Sequence, residues 1–126
     1  MATHQDPNLS AYRPEIFSSL RSQYAATPVA ELSKRWLLLE AAHVVGQTRL
    51  GPHLQTHLLM FGQARHDRDW HEAAGQLFRF VIAPLGHVLG RLPIGNSGRS
   101  DISAFRPMPV RDDIAEIIAQ AKRQTT

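Results

Sequence analysis

From Thr27 to Leu89 apolar residues recur three and four positions apart, and only two short clusters of turn-forming residues, Gly46 to Pro52 and Asp67 to Asp69, interrupt them. A period near 3.6 commits a segment to a helix, and connections this short make consecutive helices run antiparallel. The expected fold is all-α: a small antiparallel helical bundle of four to five helices, arranged as two stacked helical hairpins. Pro14 suits the first turn of a helix reaching about Ala26. Thr27 as cap and Pro28 as first residue open a second helix, which carries Trp36, Leu37, Leu38, Leu39, Val44 and Val45 and ends near Gly46. A third spans about Pro52 to His66. The fourth is capped by Asp69 and runs to Leu89, with Pro84 kinking it or ending its first half. It is apolar nearly all round, which predicts a central position. Asp113 and Glu116 have capping-box spacing at the start of a last helix. Between the last two, Gly90 to Pro109 is a Gly/Pro-rich loop. Residues 1–12 are expected to be a flexible N-terminal tail and residues 13–126 a single helical domain.

The 126 residues include no cysteine, so thiolate nucleophiles and thiolate metal cages are excluded, and any metal must be held by imidazole and carboxylate. Met1 to Ser10 lacks the basic and apolar regions of a signal peptide, and no apolar run approaches the ~20 residues of a membrane span. A cytoplasmic protein with no membrane partner is expected. The net charge of +3 comes from arginines scattered among eleven acids, with no basic run to track a phosphate backbone. Nucleic acid is therefore not an expected partner.

Chemistry concentrates on either side of the first turn. Glu40-Ala41-Ala42-His43 is E-x-x-H, and His53-Leu54-Gln55-Thr56-His57 is H-x-x-x-H. Residues three or four apart on a helix share a face, so each pair presents its ligand atoms in one direction. Folding about a turn centred near position 49 sets Glu40 level with His57 and His43 level with His53. Glu40 and His43 lie on one stripe with Trp36 and Gln47, flanked by Leu37, Leu39 and Val44, and so on the core side. A buried carboxylate must be paired or coordinated. Glu40, His43, His53 and His57 are thus the expected ligands of a divalent metal, zinc foremost. The competing reading is a metal-free core network in which Glu40 accepts hydrogen bonds from neutral histidines.

Glu72, Gln76 and Arg79 form a polar stripe on the otherwise apolar fourth helix. With Gln47 they are expected to stand behind the ligands and orient them. His66 and His71 flank a turn and are expected in solvent, His4 lies in the tail, and His87 is a core or surface histidine within reach of the His53 end. The Gly90 to Gly98 loop has no preceding strand and no phosphate-binding lysine. Ser97, Ser100 and Ser103 have no base arranged for nucleophilic hydrolysis.

Leu39-Glu40-x-Ala42-His43-Val44-x-Gly46-Gln47, His53-x-x-x-His57, Asp69-Trp70-x-Glu72-x-x-Gly75-Gln76-x-x-Arg79, Gly90-Arg91-x-Pro93-x-Gly95-Asn96-x-Gly98 and Arg106-Pro107-Met108-Pro109 follow one another in order. This series resembles a small bacterial family known as domain of unknown function 3703, over about residues 13 to 120. The resemblance implies a bacterial, stand-alone protein whose signature positions include the four ligand candidates, and it implies no particular activity.

Three functions fit these residues. The first is metal binding in homeostasis or resistance. The second is a metal-dependent enzyme, with three histidines holding the ion, a water in the open position and Glu40 or Glu72 as base. The third is a metal-free helical interaction module with tetratricopeptide-like packing, taking a protein partner. No complete acid, base and substrate-orienting set can be assembled, so binding of the metal ion is preferred to catalysis, and a small-molecule partner belongs only to the second reading.

Overall fold

The computed structural model describes residues 11–125. Five helices follow in order: α1 (Pro14–Ala26), α2 (Leu32–Gly46), α3 (Leu50–His66), α4 (Trp70–Leu89) and α5 (Asp112–Gln124). Among the described residues there is no strand. Most of the N-terminal segment expected as a tail, residues 1–10, lies outside the described residues, while Tyr12 packs its ring 6.1 Å from that of Phe17.

The central helix is α2. Leu38, Ala41, Val44 and Val45 join Phe17 and Leu20 of α1 and Ile114 and Ile118 of α5 in one core. On another side Trp36 and Leu39 pack with Met60 and Ala64 of α3 and Ala73 of α4. A helix buried on most sides needs apolar residues around its circumference, which the Leu37-Leu38-Leu39 run supplies.

Several local expectations need correction. Thr27 does not open α2: it closes α1, its Oγ1 donating to Gln23 O at 2.6 Å, and α2 begins five residues later after the turn at Pro28. Arg35 Nη1 donates to Thr27 O at 2.6 Å and fixes that turn. Pro84 does not end α4, which runs through it until Gly90 adopts a left-handed φ of 68°. The capping box of α5 is not formed. Asp113 Oδ1 instead accepts from Arg111 Nε at 2.7 Å, one residue inside the helix start. Asp69 does cap α4, accepting from Glu72 N at 3.1 Å.

The expected central position of α4 is overturned by the way the helix is turned. Its polar residues Glu72, Gln76 and Arg79 are buried, Gln76 completely, while Phe78, Val81 and Val88 are 59%, 70% and 82% exposed. The polar stripe has taken the inward side because its hydrogen-bond partners are there, leaving the apolar stripe outside.

Candidate metal centre

The stripe Trp36, Glu40, His43, Gln47 of α2 faces the segment between α4 and α5, which runs along it in antiparallel order. Gln47 is completely buried, and its amide satisfies both neighbours when N donates to Pro93 O and O accepts from Gly95 N, each at 2.7 Å. One turn back, His43 Nδ1 donates to Asn96 O at 2.7 Å. A further turn back, Glu40 meets Arg99 at 3.3 Å and Arg111 at 2.7 Å. The Arg99 guanidinium also lies 3.7 Å from the centre of the Trp36 ring and reaches Glu72 of α4 at 2.8 Å.

His43, His53 and His57 are buried and bring their ligand atoms within 4.8 Å of one another. His53 Nε2 lies 3.2 Å from His43 Nε2 and 3.0 Å from His57 Nε2. Tetrahedral zinc with nitrogens at 2.0–2.1 Å would place them about 3.3 Å apart.

The opposite nitrogen of each ring is tied outward. Asn96 O is a carbonyl, so His43 Nδ1 must carry the proton. His57 Nδ1 lies 2.7 Å from Gln76 Oε1, and the Gln76 amide is oriented by Nε2 donating to Glu72 Oε2 and Gly98 O, both at 2.8 Å. His57 therefore also carries its proton on Nδ1. His53 Nδ1 lies 2.9 Å from His87 Nε2. In their neutral forms His43 and His57 thus point lone pairs inward, and His53 has at most one Nε2 proton to share between them. A cation at the meeting point would satisfy all three lone pairs at once.

The site favours neutral imidazole. Burial lowers His43 well below the ordinary histidine range, with His57 and His53 adding to the shift. Burial and the neighbouring His57 and His87 bring His53 down to about 3. Burial brings His57 down to about 4 against the opposing pull of the Gln76 hydrogen bond. Beside the three rings is a cavity of about 10 Å³, close to the space of one water, bordered also by Arg79, Arg91 and Phe105. Burial lowers the Arg79 pKa, opposed by Glu72 and Asp101, and its Nη2 donates to Ile102 O.

Glu40, expected beside His57, is not brought into this group. Its carboxylate is held by Arg99 and Arg111 on the loop side, where burial still raises its pKa above the usual carboxylate range. Of the residues expected behind the ligands, Gln76 contacts His57 directly and Glu72 holds Gln76. Glu72 also accepts from Ser100 N at 2.8 Å, and together with Arg99 and Gln76 these bonds outweigh burial and lower its pKa. Arg79 lines the cavity, and Gln47 pins the loop. His66 and His71 are exposed.

Sequence reasoning missed Asn96 and gave Gly98 no role. Asn96 holds the loop through Nδ2, which donates to Ser103 O at 2.9 Å and Arg106 O at 3.0 Å, while Oδ1 accepts from Gly98 N at 2.9 Å. Gly98 has φ 87°, and a Cβ there would stand 2.7 Å from the His43 ring. The Asn-x-Gly spacing was the available signal.

A family described as Protein of unknown function (DUF3703) matches residues 10–118. The chain belongs to that family. No curated protein and no solved structure matches it.

Proposed function

We propose that this DUF3703 protein binds a borderline divalent cation, zinc foremost, through Nε2 of His43, His53 and His57. The observation that supports this most is the convergence of three Nε2 atoms whose rings are each fixed from behind at Nδ1. Metal-binding histidines are commonly oriented in this way, by a carbonyl, an amide or another acceptor on the far nitrogen. The cavity beside the rings leaves room for a single water or small anion as fourth ligand. Absence of cysteine suits zinc, nickel or copper(II) more than soft copper(I).

Holding the ion, in homeostasis or resistance, is favoured over turnover. Both carboxylates that would serve as a base are engaged by arginine: Glu40 by Arg99 and Arg111, and Glu72 by Arg99. Elemental analysis of protein purified without a histidine tag, followed by titration of the chelator-treated protein with zinc, tests the reading. One tightly held equivalent per chain is expected. A chain that retains no metal and takes up none on titration would leave the histidines as a hydrogen-bonded core network.

A further inference from the structure

The apolar outer face of α4 is independent of the metal site. Trp70, Leu77, Phe78, Val81, Leu85 and Val88 are all more than half exposed. They fall within about 100° of one another on the helix, at the 3.6-residue period, and no Lys, Arg, Asp or Glu on α4 is exposed among them. From these exposures and ordinary side-chain sizes the face offers roughly 800 Å². The largest apolar patch on a typical monomer is about 300–600 Å².

We infer that two copies of this chain associate through this face, α4 against α4 in antiparallel orientation about a two-fold axis near Val81. A standard-size interface takes about 800 Å² from each partner, which this face can supply by itself. A two-fold axis at Val81 sets Leu77 of one protomer opposite Leu85 of its partner, and small Ala74 opposite Val88, so the stripe complements itself. A lipid surface fits less well. Helices lying on membranes place basic residues on their polar face beside the headgroups, whereas the polar residues of α4 point into the protein.

Sedimentation equilibrium of the full chain tests this, with and without chelator so that the result is independent of metal occupancy. Wild type is expected to sediment as twice the 14.1 kDa chain mass. Val81→Glu should weaken the dimer by roughly 100-fold or more, because each protomer would bury an unpaired charge. Its helical circular dichroism should be unchanged, since Val81 supports nothing inside the monomer. Val88→Glu, near the helix end, serves if that variant folds poorly, and Ser18→Glu, exposed on α1, should stay dimeric. A wild type that remains monomeric at high micromolar concentration overturns the proposal. So does a folded Val81→Glu chain that stays dimeric, or a monomer that co-sediments with phosphatidylserine vesicles.

Discussion

A neutral imidazole has one proton for two nitrogens, so whatever holds one nitrogen decides what the other can do. Asn96 O and Gln76 Oε1 make that choice for His43 and His57. Replacing His43, His53 or His57 by Ala is expected to reduce bound metal to a small fraction in elemental analysis, whereas His66→Ala and His71→Ala leave it unchanged. Gln76→Ala should weaken zinc affinity by about 10 to 100-fold without removing the site, as measured by competition with a chelating dye. Acid should act on the metal-free protein through the same rings. Folded His53 and His57 titrate at about 3 and 4, below the 6.5 of an ordinary histidine. The unfolded chain therefore takes up protons first, so stability is complete above pH 6.5 and falls as pH is lowered toward 4. Thermal melts of chelated protein between pH 8 and 4 should show this, and a His53→Ala, His57→Ala double variant should show a shallower fall. The histidine pairs were legible in the sequence because helical spacing and a short turn fix which residues meet. The partner of Glu40 was not. Arg99 is 59 residues away, on a segment with no periodicity to reveal its path.

Each helix is identified by its pattern, but which side it turns inward depends on what the rest of the chain offers. For α4 the polar stripe, expected to face the site, does so with Gly98 O, Ser100 N and Ile102 O as partners, but the apolar residues, expected inside as well, are left outside. That outcome depends on the loop, and a loop of glycines and prolines carries little record of where its backbone groups will point. Its glycines do carry a testable record. Gly98→Ala should force both a left-handed residue and the His43 ring to move, lowering stability by about 2–4 kcal/mol and weakening zinc binding. Gly90 also has a positive φ, of 68°, but a Cβ there meets nothing. Gly90→Ala should lower stability by only about 1 kcal/mol and leave zinc binding intact. Denaturant melts and zinc titrations of the two variants separate these effects.

Across the whole molecule, the three histidines and the groups behind them come from α2, α3, α4 and the loop, so an ion bound there should be coupled to folding. Zinc at about 1,000 times its dissociation constant should add about 4 kcal/mol of stability and raise the melting temperature by roughly 15 °C, reversed by chelator. Arg99 is the other tie between these parts, joining Glu40 of α2 and Glu72 of α4 while covering Trp36. Arg99→Ala leaves Glu40 with Arg111 and Glu72 with Gln76 and Ser100 but removes the charge shared between them, and a loss of about 1–3 kcal/mol is expected in urea melts. Zinc should still bind, because none of these contacts includes a ligand nitrogen.

The three converging rings come from one hairpin, His43 to His57, whereas the carbonyl behind His43 arrives with Asn96, more than fifty residues later. Contacts close in sequence form early, and distant ones wait on a longer closure. A nascent chain can therefore gather the imidazoles before the loop is laid over them. An ion held by the three rings would lie beside Arg91, Pro93 and Phe105 of the loop, so its release should depend on movement of that segment. Exchange of zinc for free isotope should then keep step with hydrogen exchange of the Gly98 amide.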